Sequence, residues 1–457
     1  MTPTILIVGA GFSGVALTHG LSRLGWPGGV RIVLADRSGT FGRGAAYSTD
    51  HPSHLLNVPA GRMGAVGEGD FLAWLRRDNA EMAGDTFVPR SRYGDYLADL
   101  LEHSRANAAA NVVIETVSDQ VIALEPGADG RVVARFGKGT TLAADRVVLA
   151  TGNLPPRHVA GIPLDHERCV LDPWEPGALK RLRGVSSALM VGTGLTMVDA
   201  VLFLHEANPS AHFVAVSRRG LLPQSHRDHH PGKPPVIDPT EVLAAWDNSA
   251  RGLLRLLRQE SRRADILDWR DVLNGLRSVT PSIWQRMSPT EQARFYRHMR
   301  PYWDAHRHRM STGVAGRVNA LIEHKQLSIV AGRIATCARD GDQVAVDVRG
   351  RDGGVQRHNV DAVVNCTGPD GDFSRSMDPL IAHLRTYGVI MPDALGIGIQ
   401  TGDDGAVLGA RGTASPVIFT LGATRRPALW ESTAVPELRE QAAALARRLH
   451  ASLATSN

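Results

Sequence analysis

The residues Ile5-Leu6-Ile7-Val8-Gly9-Ala10-Gly11-Phe12-Ser13-Gly14, followed at once by an apolar-periodic stretch, decide how this chain begins to fold. Four apolar residues bounded by glycine read as a strand buried on both faces, and the run is too short for a secretion signal and lacks its basic flank. Gly9 permits a tight turn, Gly11 allows a pyrophosphate to approach the backbone, and Gly14 lets the next helix lie close on the strand. The helix start, with Ser13 in its first turn, offers unpaired N–H groups to an anion. The next strand, residues 31–35, closes on Asp36, where a carboxylate accepts from ribose hydroxyls, with Arg37 beside it. Strand, glycine turn, helix and acid together predict a dinucleotide fold rather than an isolated glycine turn.

A second unit of the same kind starts at residues 188–190 and turns at Val191-Gly192-Thr193-Gly194-Leu195-Thr196-Met197. Met197 stands where the third glycine belongs, which predicts looser packing of helix on strand. The strand that follows, residues 213–216, ends in Ser217-Arg218-Arg219. Sites that prefer NADH place an acid there, whereas arginine suits the 2′-phosphate of NADPH, with NADH still possible. The other reading of Arg218 and Arg219 is a solvated strand end in an arginine-rich chain.

Working outward, two segments end alike. Residues 111–152 and 327–368 each predict a hairpin followed by a buried strand that closes on Thr-Gly, at Thr151-Gly152 and at Thr367-Gly368. A last strand, residues 417–421, closes on Gly422, and an Ala/Leu/Arg helix follows with Pro436 in its first turn. Between the second glycine loop and its hairpin, Asp238-Pro239-Thr240-Glu241 and Ser288-Pro289-Thr290-Glu291 are helix starts. The expected fold class is therefore α/β, with two nested Rossmann-like dinucleotide-binding domains and a helical insertion. The first domain takes residues 1–160 and 369–457, the second 161–233 and 319–368, and the insertion 234–318. Cofactor contacts are expected at Gly9, Gly11, Ser13, Gly14, Asp36, Arg37, Thr151, Gly152 and Gly422, and at Gly192, Gly194, Thr196, Arg218, Arg219 and Gly368.

Composition narrows the function classes. The chain has 457 residues, 43% hydrophobic and 21% charged, enough for more than one core. Its formal charge of +5 is carried mainly by arginine, since the lysines are only Lys138, Lys180, Lys233 and Lys325. Acids are interspersed with the arginines, so no single basic face marks a nucleic-acid partner, and no run is long enough to span a membrane. Cys169, Cys337 and Cys366 are widely spaced and form no C-x-x-C, which argues against a disulfide framework, a zinc site or a redox dithiol and for a cytoplasmic setting. His226, His229 and His230, and His306 with His308, lack metal-ligand spacing. Their loops are either solvated or, for the first group, the mouth of a substrate site. Trp269, Trp284, Phe295, Tyr296, Tyr302 and Trp303 are either the core of the insertion or the wall of an apolar pocket.

Longer phrases carry a resemblance. Gly42-Arg43-Gly44-Ala45-Ala46-Tyr47-Ser48-Thr49, His54-Leu55-Leu56-Asn57-Val58-Pro59-Ala60, Val88-Pro89-Arg90-Ser91-Arg92-Tyr93-Gly94, Ser217-Arg218-Arg219-Gly220-Leu221-Leu222-Pro223 and Trp430-Glu431-Ser432-Thr433-Ala434-Val435-Pro436 resemble FAD/NAD(P)-binding proteins of the YdhS type along nearly the whole chain. The layout is similar to that of class B flavin monooxygenases, in which a FAD domain is interrupted by an NADPH domain. The resemblance implies FAD on the first loop, NADPH on the second, and an oxidoreductase, a monooxygenase of the hydroxylase type, that uses molecular oxygen on a small molecule. Gly161, His166 and Trp174 occupy the stretch where Baeyer–Villiger enzymes keep a signature, but the spacing differs and Glu175 precedes Pro176, so that assignment is not carried over. Asn57 is the catalytic candidate, as an amide near the flavin or the nicotinamide; its alternative is a turn cap before Pro59. An NAD(P)H dehydrogenase serving a quinone or a partner protein, and a redox sensor without turnover, are the competing functions.

Overall fold

Thr4–Val8 is buried along its whole length, as an unbroken apolar run requires of a strand covered on both faces. The structure is a computed structural model and describes residues 2–127, 129–163, 166–227, 238–244, 246–263, 266 and 268–454. It divides into two compact units. One comprises the chain up to Leu154, Thr280–Gln285 and the chain from Gly371; the other comprises Pro155–Val279 and Arg286–Asp370.

In the first unit a six-stranded sheet runs in the order Ala406–Leu408, Ala414–Thr420, Arg146–Leu149, Thr4–Val8, Val30–Ala35, Val112–Val117. Every pair is parallel except the first, which is antiparallel. Alternation along the strands sorts the side chains by face. Ile5, Ile7, Ile32 and Leu34 pack with Val15 and Leu17 of the helix Phe12–Ser22, Leu97 of Arg90–Ala106 and Leu445 and Leu449 of Val435–Ala454. Leu6, Val8, Val33 and Leu149 pack on the other side with a three-stranded antiparallel sheet and the helix Pro379–Thr386. Each such buried aliphatic side chain contributes about 1.5–3 kcal/mol relative to exposure, so a one-residue slip of register, which would exchange the two faces, is strongly disfavoured.

The second unit repeats the scheme. Its seven-stranded sheet is ordered Val355–Val360, Gln343–Gly350, Leu327–Asp340, His212–Ser217, Ser187–Val191, Ala362–Asn365, Cys169–Val170. Ala188, Met190, Phe213 and Ala215 face the helices Leu195–Ala207 and Thr312–Glu323, while Leu189, Val191 and Val216 face Val344, Val346 and Val348. The α/β architecture with parallel sheets is as expected.

The likeness of the two hairpin segments holds only at their ends. Val112–Val117 remains in the parallel sheet, and a separate strand, Val121–Pro126, makes the hairpin with Val132–Phe136. Asp119 enforces the break, its carboxylate accepting from the backbone N–H groups of Gln120 (2.8 Å) and Lys138 (3.1 Å). In the second unit the single 14-residue strand Leu327–Asp340 serves both purposes. It pairs in parallel with His212–Ser217 and then antiparallel with Gln343–Gly350, changing register between Ile334 and Thr336 at a bulge that bends the strand without ending it.

Helices fill the stretch between, and side-chain caps start several of them. Ser249, Asp268, Ser288 and Ser311 accept from backbone N–H groups at the starts of Ala250–Glu260, Trp269–Gly275, Pro289–Arg294 and Thr312–Glu323. The sequence boundary at 318/319 falls inside Thr312–Glu323, whose Ala315, Val318 and Leu321 lie in the core of the second unit.

Candidate dinucleotide sites

The first glycine loop is closed by its neighbours before any ligand is considered. Gly9 has φ +108°, and a Cβ there would lie 2.3 Å from the carbonyl oxygen of Ala150, so the strand end that leads into Thr151-Gly152 sits directly on the turn. A Cβ on Gly14 would lie 2.1 Å from the carbonyl oxygen of Gly9, which is the close helix approach expected of the third glycine. Gly9 N–H donates to Ala35 (2.8 Å) and Ala150 N–H to Val8 (2.8 Å). Gly11, by contrast, is in extended conformation and N-caps the helix Phe12–Ser22 without any side-chain cap. The first-turn N–H groups thus keep the positive end of the helix available.

Asp36 is placed at the loop. One carboxylate oxygen accepts from Ala10 N–H (2.8 Å) and the other from Ser38 N–H (2.8 Å) and Ser38 hydroxyl (2.6 Å). A carboxylate has about four lone-pair sites, so Asp36 fastens the loop and retains acceptor capacity. Arg37 is exposed and lies 3.6 Å from Asp378. The Thr151 hydroxyl is buried with no hydrogen-bond partner among the described residues, beside a Gly152 with φ +68° and open space at its Cβ position. Gly422 has φ +85° and a Cβ position 3.2 Å from the Ser13 hydroxyl, and its N–H donates to Gln441 (2.9 Å), which brings the C-terminal segment to the same helix start.

Sequence reasoning assigned no role to Gly44 or Gln441. A Cβ on Gly44 would lie 3.0 Å from the Gly11 Cα, and Gly42 N–H donates to Ala10 (2.8 Å), so the Gly42-Arg43-Gly44 turn covers the loop. A glycine pair six and eight residues after the ribose acid was the available signal. Gln441 had none, because only the packing of its helix brings it to Gly422.

The second loop reproduces the first in detail. Gly192 has φ +117° and a Cβ position 2.3 Å from the carbonyl oxygen of Cys366, which leads into Thr367-Gly368 as Ala150 leads into Thr151-Gly152. Gly192 N–H donates to Val216 (2.8 Å), and Cys366 N–H to Val191 (2.8 Å). Gly194 N-caps Leu195–Ala207 without a side-chain cap, and nothing lies within 4 Å of its Cβ position. Thr196 is in the first turn of that helix, and Gly368 has φ +80° with open space. The Thr193 hydroxyl donates to the Leu221 carbonyl (2.6 Å) and meets the Ser217 hydroxyl at 2.9 Å, tying the loop to the strand end that carries the arginines. Met197 is fully buried, in one core cluster with Ala188, Met190 and Phe213 of the strands.

The two arginines separate. Arg219 donates to the carbonyls of His298 (2.8 Å) and Arg297 (3.5 Å) and lies over the Tyr302 ring at 5.0 Å. Arg218 is exposed and makes no hydrogen bond or ion pair with described residues. Asn57 is half-buried in a segment pinned by Leu56 N–H to Val88 (2.9 Å) and Arg90 N–H to His54 (2.8 Å).

His229 and His230 lie outside the described residues, and among the described residues no group of His, Cys, Asp or Glu could hold a metal. Trp284, Phe295 and Trp303 are buried core, whereas Tyr302 is half exposed under Arg219. Trp284 stacks on Trp430 at 4.8 Å and donates to the Pro427 carbonyl (2.7 Å). All three cysteines are free, and burial pushes the Cys366 thiol well up, with Asp199 adding to the shift. On the helix Ala250–Glu260 helical spacing gathers arginines that the sequence disperses among other residues. No described helix is long and apolar enough to cross a membrane.

Residues 6–154 match a family model described as FAD-NAD(P)-binding. No curated protein sequence matches the chain. Reduced ornithine hydroxylase from Pseudomonas aeruginosa superposes with a TM-score of 0.65 at 15% identity, over 99% of this chain and 100% of that one. L-lysine 6-monooxygenase from Pseudomonas syringae gives 0.65 at 17%, over 99% and 100%. This chain has their fold. Thioredoxin reductase from Lactococcus lactis also superposes, with a TM-score of 0.54 at 11% identity over 99% of both chains, so the fold extends beyond the hydroxylases.

Proposed function

We propose that the chain is an FAD-dependent, NADPH-oxidising monooxygenase of the hydroxylase type, acting on a small molecule in the cytoplasm, with the NADPH domain nested inside the FAD domain. The observation that carries this reading is the pair of equivalent glycine loops, each seated on its own Thr-Gly strand end, in a chain with the fold of ornithine and lysine hydroxylases over 99% of its length. The residues present fit both nucleotides: open or uncrowded Cβ positions at Gly11, Gly152, Gly194 and Gly368, two helix starts without side-chain caps, and an unpartnered Thr151 hydroxyl.

FAD supplies acceptance of a hydride and activation of oxygen, chemistry that no protein side chain here offers. Gly9, Gly11, Ser13 and Gly14 bind its pyrophosphate through the helix start, Asp36 accepts from its ribose, and Thr151, Gly152 and Gly422 line the approach. Gly192, Gly194 and Thr196 do the same for NADPH, with Arg218 on the 2′-phosphate and Gly368 beside the turn. Asn57 orients a ring or a carboxamide with its amide. The cysteines accept no electrons, since they form no pair and Cys366 is held protonated by burial, which disfavours the reductase chemistry of a dithiol enzyme.

The test is NADPH consumption by the purified flavoprotein in labelled oxygen, with ornithine, lysine and cadaverine, the substrates named for its structural neighbours, heading a wider panel of small molecules. A product carrying one labelled oxygen atom is expected. Asn57→Ala is expected to raise severalfold the share of NADPH electrons that ends as hydrogen peroxide. Rapid reduction of a quinone, with peroxide the only fate of oxygen across the panel, replaces this reading with the dehydrogenase.

A further inference from the structure

The helix Ala250–Glu260 and the turn after it carry five arginines: Arg251, Arg255, Arg258, Arg262 and Arg263. The first four are spaced four, three and four residues apart, the spacing that places side chains on one helical face. At 1.5 Å per residue the row spans about 16 Å. All five are exposed, while Leu253 and Leu256 on the opposite face are buried.

Among the described residues the row has few ion-pair partners. Arg263 pairs with Glu260 at 2.9 Å, but Arg251, Arg255, Arg258 and Arg262 make no ion pair with described residues. Among the described residues, the nearby acids Asp247 and Glu291 hold other hydrogen bonds, and Asp247 is kept below its ordinary range mainly by Ser249, with a smaller contribution from the charge of Arg255. Asp247 accepts from Ser249 N–H (2.9 Å) and the Ser249 hydroxyl (2.7 Å), and Glu291 accepts from Ala250 N–H (2.9 Å) and pairs with Arg294. Like charges at this spacing repel, and the side chains of this helix that are buried are Ala250, Leu253 and Leu256. Arg255, Arg258, Gln259, Arg262 and Arg263 line a shallow concavity of about 540 Å³.

We propose that this face docks a partner protein through a helix lined with carboxylates at matching spacing. Guanidinium forks engage carboxylates bidentately, and a row of four at successive helical turns is complementary to Asp or Glu at i, i+4, i+7 and i+11 of an opposing helix. The helix does not insert into a membrane, because its apolar face is already used by Leu253 and Leu256. Nucleic acid fits less well, since Glu260, Asp247 and Glu291 flank the row and interrupt the continuous basic track that a phosphate backbone follows. The surface is independent of the flavin reading, and its test uses no turnover.

The probe is a labelled helical peptide with glutamates at i, i+4, i+7 and i+11, compared by fluorescence anisotropy with a peptide of the same composition and scrambled spacing. Duplex DNA and phosphatidylserine vesicles are measured alongside. The full chain is expected to bind the patterned peptide at least about tenfold more tightly than the scrambled one, a gap of about 1.4 kcal/mol, and to weaken with salt. Arg255→Gln with Arg258→Gln, exposed sites where glutamine keeps helix propensity, is expected to remove that preference while the melting temperature stays unchanged. Equal binding of both peptides, an unaltered preference in the double variant, or tighter binding of DNA or vesicles overturns the proposal. Should the double variant melt lower, Arg251→Gln with Arg262→Gln provides the same comparison from the ends of the row.

Discussion

A guanidinium has five N–H donors, and Arg219 already directs two of its nitrogens to the carbonyls of His298 and Arg297 while Tyr302 covers its face. Arg218, one residue earlier, is exposed. A phosphate on the ribose of a bound nucleotide therefore has Arg218 as its available partner, and a charged hydrogen bond of that kind contributes about 1.5–3 kcal/mol. Arg218→Ala is expected to raise the Kd for NADPH about ten- to a hundredfold and to leave that for NADH nearly unchanged. Isothermal titration with the two nucleotides decides it: equal losses for both would refute a contact with the 2′-phosphate, and no loss for either would return Arg218 to a solvated strand end. Sequence spacing brought both arginines to the end of the strand but could not divide them. The groups that occupy Arg219 lie nearly eighty residues away, and no local pattern announces them. Gly9, Gly14 and Gly192 were legible because the strand-turn-helix pattern that needs them is written within a few residues of sequence, although the carbonyls that crowd Gly9 and Gly192 come from the distant Ala150 and Cys366; Gln441 was not, because it acts through a helix formed at the other end of the chain.

The helix Phe12–Ser22 presents its N-terminus to the first site and packs its flank on Arg90–Ala106, where His19 meets the Ser104 hydroxyl at 2.9 Å. Burial, followed by Arg23 and His103, lowers the His19 pKa from its ordinary 6.5. In this environment the neutral ring is the favoured form. The folded chain then binds fewer protons at His19 than the unfolded chain does, so stability is lost as pH falls below 6.5 towards the lowered folded value. His19→Gln keeps a hydrogen-bonding group without the titration. Its urea midpoint is expected to fall less between neutral pH and pH about 5 than that of the parent; an identical fall in both would remove His19 from the acid response. Elements of this kind were largely readable beforehand. Period-2 and period-3.6 patterns and the caps at Ser288 and Pro289 are local, and the strand of residues 5–8 declares its burial by composition. What was not readable is which neighbour a strand chooses. Val112–Val117 and Leu327–Asp340 begin alike, yet Asp119 ends one partnership in a turn while a bulge at Ile334 and Thr336 carries the other strand on into a second.

At the scale of the whole molecule, each compact unit contains its own glycine loop, its own Thr-Gly strand end and its own core clusters. Binding at one loop can then be removed without unfolding the other. Gly11 and Gly194 are the positions to use, because Gly9 and Gly192 combine positive φ with Cβ positions 2.3 Å from a carbonyl oxygen and any side chain there strains the backbone itself. Gly194 has φ −86° and nothing within 4 Å of its Cβ position, so valine is accommodated by the protein alone. Gly11 has φ −77°, and its Cβ position is 3.5 Å from the Gly44 Cα, an ordinary contact for the first carbon of a valine. The branches then extend into the space that a pyrophosphate takes up in front of the helix start. Gly11→Val is expected to purify without FAD and to bind NADPH within a few-fold of the parent, and Gly194→Val to purify with FAD and to lose most of its NADPH affinity. Flavin absorbance and nucleotide titration read the two losses separately. Normal FAD content in Gly11→Val would remove the first loop from the cofactor site, and joint loss of both nucleotides in either variant would show that the units do not bind independently.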